Sequence, residues 1–180
     1  MIKYLQRYFI ESKHFVITFT GTKLQTIHKH FIDRTRMNKT GPIVIIEDNT
    51  DDQFILEEIF EELNYKNKLV FFTDSEKALT YLHDIDHEPF LVLSDINMPK
   101  LNGIELREKI FNNEDIRKKT IPYILFTTSA EQDHVIDAYS RSIQGFFIKS
   151  NNYEKIKNTM RKIVEYWQEC ESPNYIKNAQ

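Results

Sequence analysis

The chain has 180 residues, enough for one domain with additions and too few for two full-sized domains. Hydrophobic residues at 41%, with only four Gly and five Pro, exclude a disordered or fibrous chain; the lone Cys170 excludes an internal disulfide, and no apolar run nears the roughly 20 residues of a membrane span. The net charge of −3 is uneven, because residues 1–36 carry seven basic and two acidic side chains, a local +5 that leaves −8 for the rest.

That break separates residues 1–40, a basic extension, from residues 41–170, with 171–180 as a tail. A basic arm can contact nucleic acid or anionic lipid. The preferred reading is an extension without a role, upstream of an internal start at Met37. Phe15 to Phe19 is its most strand-like fragment, and no cleavable secretory signal is evident. The cytoplasm is the expected compartment.

From Gly41 the pattern sharpens. Ile43-Val44-Ile45-Ile46 is a β-branched run of the kind buried on both faces of a sheet, ending at Glu47 and Asp48. Asn49 to Asp52 supply caps for a helix with Ile55, Leu56, Ile59, Phe60 and Leu63 on one side. Leu69 to Phe72 is a second strand, Asp74 or Ser75 caps a helix with Ala78, Leu79 and Leu82, and Phe90 to Leu93 is a third strand leading to Ser94-Asp95. Asn102-Gly103 opens a helix with Leu106 and Ile110 inward. Ile121 to Phe126 is a fourth strand, Val135, Ile136 and Tyr139 mark a fourth helix, and Gly145 introduces Phe146-Phe147-Ile148-Lys149. A last helix places Tyr153, Ile156, Met160, Ile163, Val164 and Trp167 at spacings of three and four, stopped by Ser172-Pro173.

Five alternating βα units predict an α/β fold, a doubly wound five-stranded parallel sheet in the order 2-1-3-4-5. Ligands of such sheets sit at the C-terminal strand ends, near the switch point between the first and third strands. Glu47, Asp48, Asp95, Thr127, Thr128 and Lys149 all fall at those ends. Singly, each reads as a helix cap or a solvated charge. Together, three carboxylates repel unless a cation or a shared proton intervenes, and Mg²⁺ is the simplest remedy. With Lys149 and a hydroxyl, the set suits attack by a carboxylate on phosphorus, Asp95 being the nucleophile and the Asn97 carbonyl a further metal donor.

The segments Ile45-Ile46-Glu47-Asp48-Asn49, Leu93-Ser94-Asp95-Ile96-Asn97-Met98-Pro99, Leu125-Phe126-Thr127-Thr128-Ser129 and Gly145-Phe146-Phe147-Ile148-Lys149 resemble the receiver domain of two-component response regulators. The resemblance spans about Pro42 to Gln168 and is closest in character to single-domain regulators associated with phytochrome-type histidine kinases. It implies that Asp95 takes a phosphoryl group from a histidine kinase or His-phosphotransfer protein, without the chain being a turnover enzyme. Asp48, Asp95 and the Asn97 carbonyl would hold Mg²⁺, with Glu47 bound through water. Thr127 and Lys149 would meet the phosphoryl oxygens. Phe146 would change rotamer as the threonine shifts, with Thr128 beside it in the switch.

Only about a dozen residues follow the last helix, so the resemblance implies output by contact with a downstream protein rather than by binding nucleic acid. The expected face is built by the fourth helix, fifth strand and fifth helix, which also suits a homodimer. One departure stands out: the family usually places a cis-proline after its lysine, whereas Ser150 follows Lys149. A cis bond there would cost about 2.5–4 kcal/mol, which leaves two alternatives: a trans bond that shifts Lys149, or a cis bond with the lysine in its ordinary position.

Three other readings compete. A receiver-like interaction module would keep the fold without phosphorylation, but the intact acidic cluster argues against it. A phosphatase with an aspartate nucleophile would want an acid where Asn97 stands, and a dinucleotide-binding domain would want a Gly-rich loop after the first strand. His83 and His87, four apart, read as surface residues and not as a metal pair, at the end of the sheet away from the crevice.

Overall fold

The computed structural model describes residues 37–84, 88–128 and 131–170. The expectations for residues 1–36, His87, Ser129 and 171–180, including the Ser172-Pro173 stop, lie outside the described residues. Five strands, β1 (Ile43–Ile46), β2 (Leu69–Phe72), β3 (Leu91–Ser94), β4 (Tyr123–Thr127) and β5 (Gly145–Ile148), form one sheet. All pairings are parallel and the order is β2-β1-β3-β4-β5, as expected from the alternating units.

The continuous apolar runs are explained by burial on both sides of this sheet. Val44, Ile46, Val92, Tyr123 and Leu125 face one layer of helices, while Ile43, Ile45, Leu91, Leu93, Ile124 and Phe126 face the other. The first layer holds α2 (Ser75–His83), α3 (Gly103–Asn112), α4 (Glu114–Lys118) and α5 (Gln132–Ser140). The second holds α1 (Thr50–Leu63) and α6 (Tyr153–Glu169), which bury Leu56, Ile59 and Phe60 against Met160, Ile163 and Val164. Each such side chain contributes about 1.5–3 kcal/mol on burial.

Helix starts follow the sequence closely. Asn49 caps α1 by accepting from the Asp51 and Asp52 amides, and Asn102 forms a reciprocal capping box with Glu105 at α3. Of the two candidates at α2, Asp74 is the cap; Ser75 is buried and donates to the Leu101 carbonyl at 2.8 Å.

Three details depart from expectation. Helix α4 is additional: Asn113 ends α3 and caps α4, but the five residues of α4 bury only Ile116, too few for a period to show. The helix expected from Val135, Ile136 and Tyr139 is therefore α5, and the last helix α6. Helix α5 turns Ala138 inward and leaves Ile136 and Tyr139 more than half exposed. Strand β3 runs one residue later than expected, and β4 starts two residues later and ends one later, so Thr127 ends β4 and is fully buried. Finally, the boundary expected at Gly41 falls within packed structure. Met37 is buried against the α1/α6 layer, and the Lys39 carbonyl accepts from Asn67 and Gln168.

Candidate functional site

The C-terminal ends of β1 and β3 lie side by side, with Ile46 paired to Ser94, and the chain leaves each through an acid. Glu47 follows β1 and is buried; Asp48, next along, is exposed; Asp95 follows β3 and is 8% exposed. Carboxylate oxygens of Glu47, Asp48 and Asp95 all lie within 4.8 Å of one another. Asn97 is exposed in the following loop.

Asp95 is fixed from several directions. Its amide donates to the Ile46 carbonyl at 2.9 Å, and one carboxylate oxygen accepts from the Ile96 amide at 2.7 Å. The Ser94 hydroxyl donates to the Asp95 carbonyl at 2.8 Å, and the Tyr123 hydroxyl donates to the Gly103 carbonyl at 2.9 Å. Gly103 passes so close that a Cβ there would lie 2.1 Å from the Asp95 carbonyl oxygen.

Lys149 arrives from the end of β5, its amide donating to the Thr127 carbonyl at 2.8 Å. No peptide bond among the described residues is cis, so Lys149-Ser150 is trans. Its ammonium nevertheless reaches the acids: it lies 2.5 Å from Glu47 Oε2, 2.7 Å from Asp52 Oδ2 and 3.7 Å from Asp95 Oδ2, with the Phe126 ring 5.9 Å away. Burial opposes the Lys149 charge, but hydrogen bonds to Asp52 and Glu47 and the field of Glu47 and Asp95 hold its pKa above the ordinary value. Burial pushes the Glu47 carboxyl up, against the pull of Lys149.

The structure thus brings together Glu47, Asp48, Asp95 and Lys149, with Thr127 at the neighbouring strand end and Thr128 exposed just beyond it. Phe146, half-buried on β5, packs against the α2–α5 layer. The sequence reading missed two participants. Asp52, in the first turn of α1, binds Lys149, and Gln53 Nε2 donates to the Glu47 carbonyl at 2.5 Å. A first-turn acid is so common as a dipole partner that Asp52 gave no separate signal. His83 ends α2 and is exposed.

An all-oxygen donor set fits a hard divalent cation. Ligand oxygens of octahedral Mg²⁺, each about 2.1 Å from the metal, stand roughly 3–4 Å apart, and those of this cluster lie within 4.8 Å of one another. Three carboxylates partly neutralised by one ammonium still leave net negative charge to attract it.

The sequence matches the response regulator receiver domain family over residues 43–161. It is 33% identical over 131 residues to the probable methanogenesis regulatory protein FilR2 of Methanothrix harundinacea, covering 69% of this chain and 82% of that protein. It is 27% identical over 137 residues to response regulator Rcp1 of Synechocystis sp., covering 73% and 92%. The Mn²⁺-bound structure of Rcp1 superposes with a TM-score of 0.64 at 27% identity, covering 72% of this chain and 95% of that one. The phosphorylated cyanobacterial phytochrome response regulator RcpA gives a TM-score of 0.67 at 24% identity, over 74% and 98%, which speaks to the fold alone. No helix among the described residues is long and apolar enough to cross a membrane. With its sheet order, its strand-end acids and a family match over most of its folded part, the chain belongs to the response regulator receiver domains of two-component systems.

Proposed function

We propose that this chain is a phosphoacceptor response regulator, with Asp95 as the acceptor and Mg²⁺ as the cofactor. The observation that carries the reading is the division of labour at Asp95: one oxygen is pinned by the Ile96 amide while the other faces Lys149 at 3.7 Å. The free oxygen attacks phosphorus in line. The new O–P bond forms as the P–N bond of a phosphohistidine breaks, and the donor imidazole leaves with that electron pair. Asp48, Asp95 and the Asn97 carbonyl would hold Mg²⁺, with Glu47 behind them through water; the metal supplies charge neutralisation at the phosphoryl oxygens. Lys149 and the Thr127 hydroxyl donate to those oxygens, and Phe146 and Thr128 follow the threonine as the switch. The existence of a Mn²⁺-bound form of Rcp1 supports a divalent ion for this chain.

The donor is a histidine kinase or His-phosphotransfer protein. The chain promotes its own phosphotransfer and hydrolysis without being a turnover enzyme. Output passes by protein contact through α5, β5 and α6, where Ile136, Tyr139 and Ile148 are exposed. Residues 37–170 are the receiver unit, working in the cytoplasm, and residues 1–36 are dispensable for the chemistry.

The test is intact-mass analysis after incubation with acetyl phosphate, with and without Mg²⁺, beside Asp95→Asn. A Mg²⁺-dependent gain of one phosphoryl group, absent from the variant, is expected. No gain under any condition would overturn the proposal in favour of a module that signals by binding alone.

A further inference from the structure

The Lys149 ammonium has three N–H donors and three acids around it, and its choice among them is informative. It spends short contacts on Glu47 at 2.5 Å and Asp52 at 2.7 Å, while Asp95 at 3.7 Å is beyond hydrogen-bond reach. Asp52 stands apart from the other acids. It is not in the carboxylate cluster that could hold a metal, it sits on the first turn of α1, and its side chain is 34% exposed against 8% for Lys149. Nothing in the acceptor chemistry requires an acid there. Its effect is to draw the buried ammonium toward α1 and away from the acceptor oxygen.

That placement has a consequence for the phosphorylated state. A phosphoryl group on Asp95 needs a donor on its oxygens, and the ammonium, 3.7 Å from Asp95 Oδ2, approaches them by moving toward Asp95 and lengthening a contact it already makes. Glu47 belongs to the same carboxylate cluster as Asp95 and Asp52 does not, so the contact that lengthens is the one to Asp52. We propose that Asp52 is a positioning residue that holds Lys149 in reserve, so that transfer of Lys149 from Asp52 to the phosphoryl oxygens sets how firmly the phosphorylated state is held. The inference rests on the phosphoacceptor reading above. It makes the first turn of α1 part of the switch, opposing activation from the side of the sheet opposite α5.

The experiment measures the affinity of the full chain for beryllofluoride, a phosphoryl mimic, at saturating Mg²⁺, by calorimetry. Asp52→Asn, which keeps shape and removes charge, is expected to bind about tenfold tighter than the wild type, the order expected of one released charge-assisted hydrogen bond. Asp51→Asn is the control. It removes the same charge one residue away, where the Asp51 amide is engaged by Asn49 and the exposed side chain makes no contact with Lys149. Its affinity should change less than twofold. Equal effects of the two variants, or unchanged or weaker binding by Asp52→Asn, would overturn the proposal and leave a through-space or purely structural role. Thermal unfolding of each variant separates these: a structural Asp52 lowers the transition temperature without tightening the mimic. Asp52→Ser gives the same comparison should Asp52→Asn unfold. If the wild type binds no beryllofluoride and gains no phosphoryl mass, the function itself fails; if it does both and Asp52→Asn matches Asp51→Asn, only this inference fails.

Discussion

On the proposed function, the acceptor Asp95 is held by residues that never touch the chemistry. Gly103 is the sharpest case, because any Cβ would sit 2.1 Å from the Asp95 carbonyl oxygen and backbone would have to give. Gly103→Ala should lose about 2 kcal/mol or more by overpacking, and its phosphoryl uptake should fall as Asp95 shifts; urea unfolding and intact mass read the two effects. Tyr123, fully buried with its hydroxyl on the Gly103 carbonyl, offers a pH signature. Burial raises its pKa well above the phenol's usual 10.0. The unfolded chain therefore loses this proton first. The stabilisation is whole below about pH 10 and is lost as pH climbs toward the folded value. Tyr123→Phe should cost about 1 kcal/mol at neutral pH from the lost hydrogen bond, and its urea midpoint should fall less steeply above about pH 10 than that of the wild type. The acids and Lys149 at the strand ends could be read from sequence because each follows directly on an apolar run. Asp52 and Tyr123 could not: one resembles a routine first-turn acid and the other a routine core aromatic, and both acquire their roles only from chain segments far away.

At the scale of elements, the strands and five of the helices were legible because both faces of the sheet are covered and every long helix has an apolar stripe. Helix α4 was not, having one inward residue, whereas α5 was legible from apolar residues of which Ile136 and Tyr139 point outward. The caps carry testable weight. At α3 the Asn102 side chain accepts from the Glu105 amide at 2.8 Å, while Glu105 accepts from the Asn102 amide at 3.0 Å. Asn102→Ala should cost about 1 kcal/mol, seen as a lower urea midpoint at unchanged slope. Because α3 begins at Gly103, beside the acceptor carbonyl, fraying of this end should also raise amide hydrogen exchange in the loop from Ile96 to Leu101.

Among the described residues, two faces differ. The α1/α6 layer exposes one large apolar side chain on each helix, Phe54 and Tyr166, and charged pairs such as Lys157 with Glu62 tie its rim. The α5/β5 edge instead leaves Ile136 at 61%, Tyr139 at 54% and Ile148 at 47% exposure. Apolar residues grouped in this way suit a partner surface. On the proposed function, phosphodonor and Mg²⁺ should shift gel-filtration elution toward a dimer, and Ile136→Glu should abolish that shift while leaving phosphoryl uptake intact. An unchanged monomer would remove the homodimer and leave a heterologous target for this face. The sheet order was readable from βα alternation alone, whereas the use of each outer face depends on exposure that hydrophobic period does not encode.

The contact between Lys149 and Glu47 joins residues 102 positions apart, from the last strand to the first. A ribosome-bound chain that has emerged through β4 already displays Asp95 and its neighbouring acids, yet it has no lysine to place among them. On the proposed function, the full set of groups that would meet a phosphoryl group is assembled only when β5 has emerged and docked. A truncated or half-made copy would show an acid cluster without the ammonium that neutralises part of its charge, and should take up phosphoryl groups more weakly than the complete chain.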